Sequence, residues 1–294
     1  MLRGLDTASS GMIALERRQE TLADNLANVQ TPGYKKDDAV MRAFPKLLMS
    51  RIQDYNDQAS GTSSTALPGQ QVPIGSMYNG VYVQERIPNF SEGDLVQTGE
   101  PLDVAIEDQN IPTQTVNGNQ VKPDAFFAVQ LPDGTVGYTR DGKWDLDANG
   151  NLVTADGYKV LGADHKPIQI TGSIDKSNMQ INKDGQILLN ANDPAQMKTA
   201  GQVGIALVQN PDDLQRLGGN VYQATNPQPF IQDGGGTNPG VTLNQGYLEQ
   251  SNVDEGQTMT DMMTTVRGYE ANQKVISAYD SSLQQLYTVA KLDG

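Results

Sequence analysis

The two ends of the chain each carry a long segment in which apolar residues recur at alternating steps of three and four. This spacing places apolar side chains on one face of an α-helix and is typical of coiled-coil seams. The first segment ends at Thr31-Pro32-Gly33, because proline restricts the residue before it and glycine accepts left-handed dihedrals. The ends therefore predict two long amphipathic helices. The predicted seams contain Leu5, Ala8, Met12, Leu15, Leu22, Leu26 and Val29, and then Met259, Met262, Val266, Tyr269, Ile276 and Leu283.

The middle of the chain has a different pattern, in which short alternating runs are separated by glycine, proline and Asp-Gly pairs. Such runs are typical of β-strands. They predict strands at 81–87, 126–131, 179–182 and 186–189, with a hairpin turn at Asp184-Gly185 between the last two, since both residues accept positive φ. We therefore predict an α+β fold in which terminal helices flank a central β-rich domain.

The same patterns predict the domain boundaries. Residues 1–57 are expected to hold the N-terminal helix and its exit segment, and 246–294 the C-terminal helix. Residues 58–84 contain no charged side chain and predict a linker, and 85–245 form the β-rich domain. Helical periodicity alone leaves open whether the two seams pack against each other within one chain or against other chains, because both arrangements bury the same apolar stripe.

Composition excludes several classes of partner. The net charge of −14 and pI near 4.4 oppose binding to nucleic acid or to an anionic membrane surface. No run approaches the ~18 apolar residues of a membrane span, and charged residues interrupt the first 20 residues, so we expect neither membrane insertion nor a cleaved signal peptide. The absence of cysteine excludes disulfides and thiolate sites.

Several motifs together resemble those of a known family. Residues 22–35 read Leu-Ala-Asp-Asn-Leu-Ala-Asn-Val-Gln-Thr-Pro-Gly-Tyr-Lys, and 248–254 read Leu-Glu-Gln-Ser-Asn-Val-Asp. Both resemble the terminal signatures of flagellar rod and hook proteins, apart from Asp24, where asparagine is usual. The run from Phe90 to Ile106 and the segment Tyr138-Thr-Arg-Asp-Gly142 resemble central motifs of the same family. Residues 107–125 are additional to the family pattern and predict a loop insertion.

The resemblance implies a structural subunit of the flagellar basal body, outside the cytoplasmic membrane. It would be exported without cleavage by the flagellar type III apparatus, and its helices would order against copies of itself and other rod and hook subunits in a helical tube. Hook subunits usually carry an additional outer domain and proximal rod subunits are much shorter, so the length points to the distal rod or the rod-to-hook region. No catalysis and no cofactor are implied. The expected interface consists of the helical seams together with six further residues. These are Asn25, Asn28 and Tyr34 at the helix exit and Ser251, Asn252 and Val253 at the re-entry.

Residues 44–48 resemble the short signal that the export gate reads in early flagellar substrates, with Phe44 and Leu48 as its apolar positions. A buried loop anchor explains Phe44 equally well. We therefore expect the export gate to be a partner, and this expectation rests on a pattern of five residues.

Rival functions have weaker support. Residues 145–156 begin with the spacing of oxygen donors that is typical of a calcium-binding loop. The twelfth position is Asp156 and not the bidentate glutamate, so we favour a β-turn. The sole histidine, His165, lies in a turn-like context and favours a solvated loop residue over a catalytic one. Paired carboxylates leave a wall-cutting glycosidase formally open, although no spacing singles out a pair. A hook-type protein, or a secreted cap or adhesin, is the alternative structural class.

Overall fold

The structure, a computed structural model, describes residues 3–45, 47–52, 71–77, 80–108, 111–116, 119–170, 178–190, 197–226, 228–230 and 240–292. The chain divides into two compact units. The first unit contains Met1–Asp24, Asp38–Ile87 and Gly256–Gly294, and the second contains Asn25–Asp37 and Pro88–Glu255. Two terminal helices flank a β-rich centre, which confirms the α+β prediction at this level.

The first unit is built from the two helices and four strands, some of which extend by a few residues into the second unit. Strands β1 and β4 pair with each other, and strands β2 and β3 form a separate antiparallel pair. The elements are α1 (Arg3–Ala27), β1 (Asp37–Ala43), β2 (Leu47–Ile52), β3 (Gln71–Met77), β4 (Val81–Pro88) and α2 (Glu255–Leu292).

The two helices of the first unit pack against each other in antiparallel order, and the contacts use glycine. A Cβ atom added at Gly4 would lie 2.1 Å from the Tyr279 hydroxyl, and one added at Gly268 would lie 3.2 Å from Leu15 Cδ1. The absence of a side chain therefore lets the two helices approach closely. The facing pairs are Gly4 with Tyr279, Gly11 with Asn272, and Leu15 with Gly268.

Strand β4 lies along α1 on the first unit. The backbone N–H of Val81 donates to Ser10 Oγ at 3.4 Å, and Arg86 forms an ion pair of 2.8 Å with Asp24. Parts of the segment 58–84 that composition suggested as a linker are thus strand, namely 71–77 and 81–84. Residues 58–70, 78 and 79 lie outside the described residues.

The second unit holds the remaining strands and one short 3-10 helix, Pro211–Asp213. The strands are β5 (Leu95–Gln97), β6 (Val104–Glu107), β7 (Gln114–Val116), β8 (Asn119–Val121), β9 (Asp124–Gln130), β10 (Val136–Thr139), β11 (Trp144–Leu146), β12 (Leu152–Thr154), β13 (Lys159–Val160), β14 (Met179–Ile181), β15 (Gln186–Leu189), β16 (Lys198–Gln202), β17 (Ile205–Val208), β18 (Leu214–Gly218), β19 (Val221–Ala224), β20 (Thr242–Gln245) and β21 (Tyr247–Glu249).

Strand β9 is the centre of the largest sheet, which has eight strands. Seven of them follow the order β11-β12-β13-β9-β10-β19-β18, and the eighth, β17, pairs with β9 outside this order. One edge of β9 pairs with β10, and its other edge is shared by β17 and β13. Residues 125–129 are completely buried, so this strand is a continuous apolar run without alternation. Phe127 packs edge-on against Trp144 in one core cluster, and Phe126 packs against Phe90 and Tyr222 in another.

The smaller sheets of this unit test the remaining sequence predictions. The hairpin at Asp184-Gly185 is confirmed: β14 and β15 pair antiparallel, and Gly185 has φ +82°. The expected loop insertion at 107–125 carries a hairpin of its own, β7–β8. Segment 246–294, predicted as helix, begins with strand β21, which pairs with β5, and α2 starts only at Glu255.

We predict that Gly142→Ala destabilises the second unit. A Cβ atom there would lie 1.6 Å from the carbonyl oxygen of Val104, so β6 has to move and the hydrogen bond from Val104 N to Gly142 O (3.0 Å) weakens. The expected loss is about 2 kcal/mol or more in the free energy of unfolding, measured by chemical denaturation. The control is Gly201→Ala, where no atom lies within 4 Å of the added Cβ. Equal stability of the two variants would contradict this explanation.

Candidate assembly surfaces and a buried ion-pair network

The helix exit is fixed by hydrogen bonds from Asn25, the second-unit residue near the end of α1. Its amide Nδ2 donates to the carbonyl oxygen of Asp37 at 2.9 Å, and its Oδ1 accepts from Asp37 N at 2.9 Å and from the Tyr34 hydroxyl at 3.2 Å. Asn25 and Tyr34 are both buried. This arrangement turns the chain back after the helix and satisfies polar groups that burial would otherwise leave unpaired.

The re-entry segment is fixed in the same way by Asn252. Its Oδ1 accepts from Lys36 N at 2.8 Å, and its Nδ2 donates to the carbonyl oxygens of Asn89 (2.8 Å) and Ser91 (3.0 Å). One amide thereby joins three chain segments. Val253, next to it, is buried.

The structure thus gives the predicted exit and re-entry residues intramolecular contacts. Asn25, Tyr34 and Val253 are buried within the second unit, whereas Asn28, Val29, Ser251 and Asn252 are only half-buried. Asn28 Oδ1 accepts from the Thr31 hydroxyl at 3.2 Å. Their contact with a neighbouring subunit stays a prediction.

A buried ion-pair network connects segments that are far apart in sequence. Lys35 Nζ lies 2.5 Å from Glu249 Oε1, and the other carboxylate oxygen of Glu249 lies 3.5 Å from Arg140 Nη1. Arg140 also binds Asp108, which forms a 3.4 Å pair with Lys122. Apart from Lys122, these side chains are almost completely buried.

Backbone groups complete the network. Gly93 N donates to Glu249 Oε1 at 2.9 Å, Lys35 Nζ donates to the carbonyl oxygen of Ser91 at 2.8 Å, and Ala125 N donates to Asp108 Oδ2 at 3.3 Å. Charged side chains at such depth are stable only when they are paired and hydrogen-bonded. The network therefore depends on the correct folding of all the segments that contribute to it.

The electrostatics follow from this burial. Burial, and then the neighbouring Arg140, lower the pKa of Lys35, against the opposing effect of Glu249. Burial acts to raise the pKa of Asp108, but Arg140 and Lys122 outweigh it and hold that pKa below its usual value. Asp124, 3.9 Å from Arg140, has its pKa raised to about 6, chiefly by burial.

The residue just before this network, Gly33, has to be small. Its φ is +68°, and an added Cβ would lie 2.5 Å from the backbone of Arg140 and Asp141. Its N–H donates to the carbonyl oxygen of Glu249 at 2.8 Å. The Thr-Pro-Gly-Tyr-Lys sequence therefore stops the helix, permits a close backbone approach, and delivers Tyr34 and Lys35 to their partners.

Arg216 joins the exit segment to the eight-stranded sheet. Its guanidinium lies over the rings of Tyr34 (4.7 Å) and Tyr222 (5.0 Å), and donates to the Lys35 carbonyl oxygen (2.6 Å) and to Asp37 Oδ1 (3.0 Å). These cation–π contacts stabilise the guanidinium in this position in addition to its hydrogen bonds.

Sequence reasoning missed the network, although signals for part of it were present. Lys35, Arg140 and Glu249 lie inside three of the four motifs that carry the family resemblance, so charged residues within those motifs were candidates for mutual contact. Asp108 and Arg216 lie outside them, and no sequence pattern marked either residue.

A groove of about 460 Å³ opens on the second unit beside the helix exit. We call it the exit groove; it is lined by Val29, Gln30, Pro32, Val96, Thr98 and residues 248–251. Its lining includes two predicted interface residues, Val29 and Ser251. Val96 on β5 is 40% exposed there.

The helical seams are only partly covered within the first unit. On α1, Ala8 is buried, whereas Leu5, Met12, Leu15 and Leu22 are half-buried; Leu26, on the second unit, is also half-buried. On α2 the least exposed residues recur at steps of four and three. They are Thr258, Met262, Thr265, Tyr269, Asn272 and Ile276.

Three residues of the predicted α2 seam, Met262, Tyr269 and Ile276, thus also lie on the covered line. Val266, another residue of the predicted seam, is half-buried beside it. Met259 (44% exposed) and Leu283 (43%) face solvent in this chain. The coiled-coil character of the seams stays a prediction.

The other sequence candidates are placed as follows. Phe44 is 40% exposed and its ring lies 5.1 Å from that of Tyr82, while the side chain of Leu48 lies outside the described residues. In segment 145–156, Asp147 Oδ1 accepts from the backbone N–H groups of Asn149 and Asn151, each at 2.8 Å, which is the local bonding of a turn. His165 is exposed.

The described residues contain neither a cluster suited to a metal ion nor a helix suited to a membrane. Among them, no group of three or more His, Asp or Glu side chains is arranged to hold a metal ion. No described helix is both long and apolar enough to cross a membrane.

Comparison with known proteins agrees with the arrangement of motifs. Residues 5–35 match the family described as flagella basal body rod protein, 120–189 match the flagellar hook protein FlgE/F/G D1 domain, and 244–289 match the C-terminal region of flagellar basal body rod FlgEFG proteins. The chain is 36% identical over 285 residues to the flagellar hook-basal body complex protein FlhO of Bacillus subtilis, covering 97% of each chain. It is 35% identical over 290 residues to the flagellar basal-body rod protein FlgG of Buchnera aphidicola from Schizaphis graminum, covering 97% of this chain and 99% of the relative.

The three matched regions cover the first helix with its exit segment, part of the β-rich unit, and the last strand with the second helix. The chain belongs to the flagellar basal-body rod and hook protein family.

We predict that Lys35→Met lowers the free energy of unfolding by about 3 kcal/mol, because it leaves Glu249 buried with a weaker counter-charge. The matched control is Lys122→Met, since Lys122 also pairs with a buried carboxylate but is 40% exposed; its expected cost is below about 1 kcal/mol. Urea denaturation of both variants measures the difference. A loss as small for Lys35→Met as for the control would show that the network does not stabilise the unit.

A second prediction concerns Asp141, which is buried and whose pKa is raised to about 6, chiefly by burial. Between pH 4 and 6 the folded state binds more protons than the unfolded state, so the free energy of unfolding falls as pH rises through this range. Asp141→Asn removes this contribution and keeps the acceptor for Lys143 N (2.9 Å). It should therefore stabilise the protein at pH 7 by about 2 kcal/mol, and by less at pH 5.

The control is Asp164→Asn. Asp164 Oδ1 accepts from Lys166 N at 3.2 Å in the same local geometry, but its side chain is exposed. Thermal unfolding at pH 5, 6 and 7 compares the two. A pH-independent effect of Asp141→Asn would contradict the assignment.

Proposed function

We propose that this chain is a structural subunit of the distal rod or the rod-to-hook region of the bacterial flagellum, and that it polymerises into a helical tube. The helices within 1–57 and 246–294 form the axial core of the tube, and the β-rich domain within 85–245 packs outside it. Its partners are copies of itself and other rod and hook subunits. The observation that carries the proposal is the exposure of large apolar residues along α2.

That exposure is concentrated in the last turns of the helix. Leu286 is 51% exposed, Tyr287 72% and Val289 62%, and every residue from 281 to 289 faces solvent. On α1, Ile13 is 53% exposed. Contiguous exposed apolar surface of this kind marks an interaction site, because burying it against a partner is favourable by roughly 25 cal/mol per Å².

We also propose that the chain passes through the flagellar type III export gate without a cleaved signal peptide and resides in the basal body outside the cytoplasmic membrane. Family membership supports this. The accessible ring of Phe44 is compatible with recognition of 44–48 by the gate.

We propose no catalytic role. The buried carboxylates of Asp108 and Glu249 accept hydrogen bonds and ion pairs from the chain itself, which suits a structural network better than reaction with a substrate. The structural alternative, a hook-type or cap-like protein, shares the fold and differs in its place in the flagellum.

The test is a pair of double variants on the last turns of α2. Leu283→Glu with Leu286→Glu places two charges on exposed apolar positions, and Gln284→Glu with Gln285→Glu places the same charges on the other side of the same turns. The first should be absent from purified basal bodies and abolish motility in cells that lack the unmodified chain, whereas the second should assemble. Both monomers should unfold at the same temperature as the unmodified chain, since all four positions are exposed. Equal incorporation of both variants would contradict the proposal.

A further inference from the structure

The C-terminal part of α2 extends beyond its contact with α1. Tyr279 lies opposite Gly4, and α1 begins at Arg3 in the part of the chain that the structure describes. No described residue of α1 therefore lies opposite 281–289, which we call the α2 overhang. Leu283 and Leu286 continue the heptad spacing of the covered residues Ile276 and Asn272, so the face that packs on α1 continues into solvent.

The overhang is uncharged in a strongly acidic chain. Residues 281–290 contain no Asp, Glu, Lys or Arg, although the chain has a net charge of −14. Two copies of such a chain repel each other at long range. Contact between them is therefore most favourable where both surfaces lack charge, because no charged group then loses its hydration.

The exit groove has matching properties. Among the described residues that line it, the one charged residue is Glu249, whose carboxylate is bound by Lys35 and Arg140 in the buried network. The remaining lining consists of neutral polar residues and of apolar ones such as Val96 and Leu248. Its volume of about 460 Å³ lies within the ~300–1,000 Å³ of ordinary binding pockets, which is enough for a few apolar side chains of a helix.

We infer that the α2 overhang of one copy docks in the exit groove of another copy, with Tyr287 near Val96. The inference rests on the proposed function, because it names the contact through which copies of this chain join. The two surfaces differ, so the contact is head-to-tail and repeats without closing unless rotation forms a ring. This is the type of contact that a tube of indefinite length requires.

A second copy is the occupant that this charge pattern favours. The overhang has no charged residue, and the one charged side chain among the described residues that line the groove is already paired within the chain. Two copies with a net charge of −14 can therefore meet at these two surfaces without bringing unpaired like charges together.

The absence of cysteine from the sequence allows a direct test by disulfide cross-linking. Val96→Cys and Tyr287→Cys are introduced together, and basal bodies isolated from cells that carry this variant are oxidised and analysed on a non-reducing gel. We expect a ladder of dimers, trimers and larger species. The matched control combines Tyr287→Cys with Leu217→Cys, which also replaces an exposed apolar strand residue but lies outside the groove; it should give no ladder.

The outcomes separate this inference from the proposed function. Incorporation of the Val96→Cys, Tyr287→Cys chain without a ladder, a ladder equal to that of the control, or a link confined to single chains would each overturn the docking but leave the subunit assignment intact. Absence of the unmodified chain from basal bodies would overturn both.

Opposite charges at the two positions give an independent measurement that needs no oxidation. Val96→Lys alone and Tyr287→Glu alone should each reduce incorporation at least tenfold, and the two together should restore most of it. Unfolding temperatures of the monomers verify folding, which both exposed positions should leave unchanged. Failure of the pair to restore incorporation would count against direct contact.

Discussion

The ion-pair network around Arg140 is the interaction on which the second unit most depends. It joins the segment after α1, the segment before β9, Arg140 after β10 and the strand before α2, so four distant parts of the chain have to be in place before all the charges are paired. Breaking one member leaves another charge buried without its partner, which costs more than an ordinary surface contact. The chain leaves α1 and enters α2 at residues held by this network and by the amides of Asn25 and Asn252.

The two helices are joined by close contacts at glycine and not by buried charges. Gly4, Gly11 and Gly268 bring the backbones of α1 and α2 together, and half of the covered line on α2 consists of small or polar residues, namely Thr258, Thr265 and Asn272. Small residues permit close approach but bury little apolar area, so this pairing contributes modestly. The large apolar residues Met263 and Leu286 remain exposed.

Sequence periodicity predicted both helices and the hairpin at Asp184-Gly185, because a repeat of 3.5 or 2 residues reports secondary structure directly. It could not predict which face of α2 is covered in a single chain. Two lines that share Met262, Tyr269 and Ile276 are both compatible with the spacing, one passing through Met259 and the other through Thr258. The contacts of Gly4 and Gly11 on α1 select the second line. The network was equally inaccessible, since pairing between Arg140 and Asp108 depends on the way the strands are folded together and leaves no periodic signal.

The contrast between the two units has a consequence for the control of assembly. Contacts within the second unit are buried and independent of concentration, whereas the apolar turns of α2 gain partners only when another subunit is present. Binding free energy of that kind follows mass action, so it is small for a dilute monomer and large at the end of a growing polymer, where several neighbours are presented together. A net charge of −14 adds long-range repulsion that opposes random encounters in solution. Under the proposed assembly, folding of the β-rich unit can be complete before polymerisation begins, and the uncharged end of α2 would bind only the surfaces that fit it.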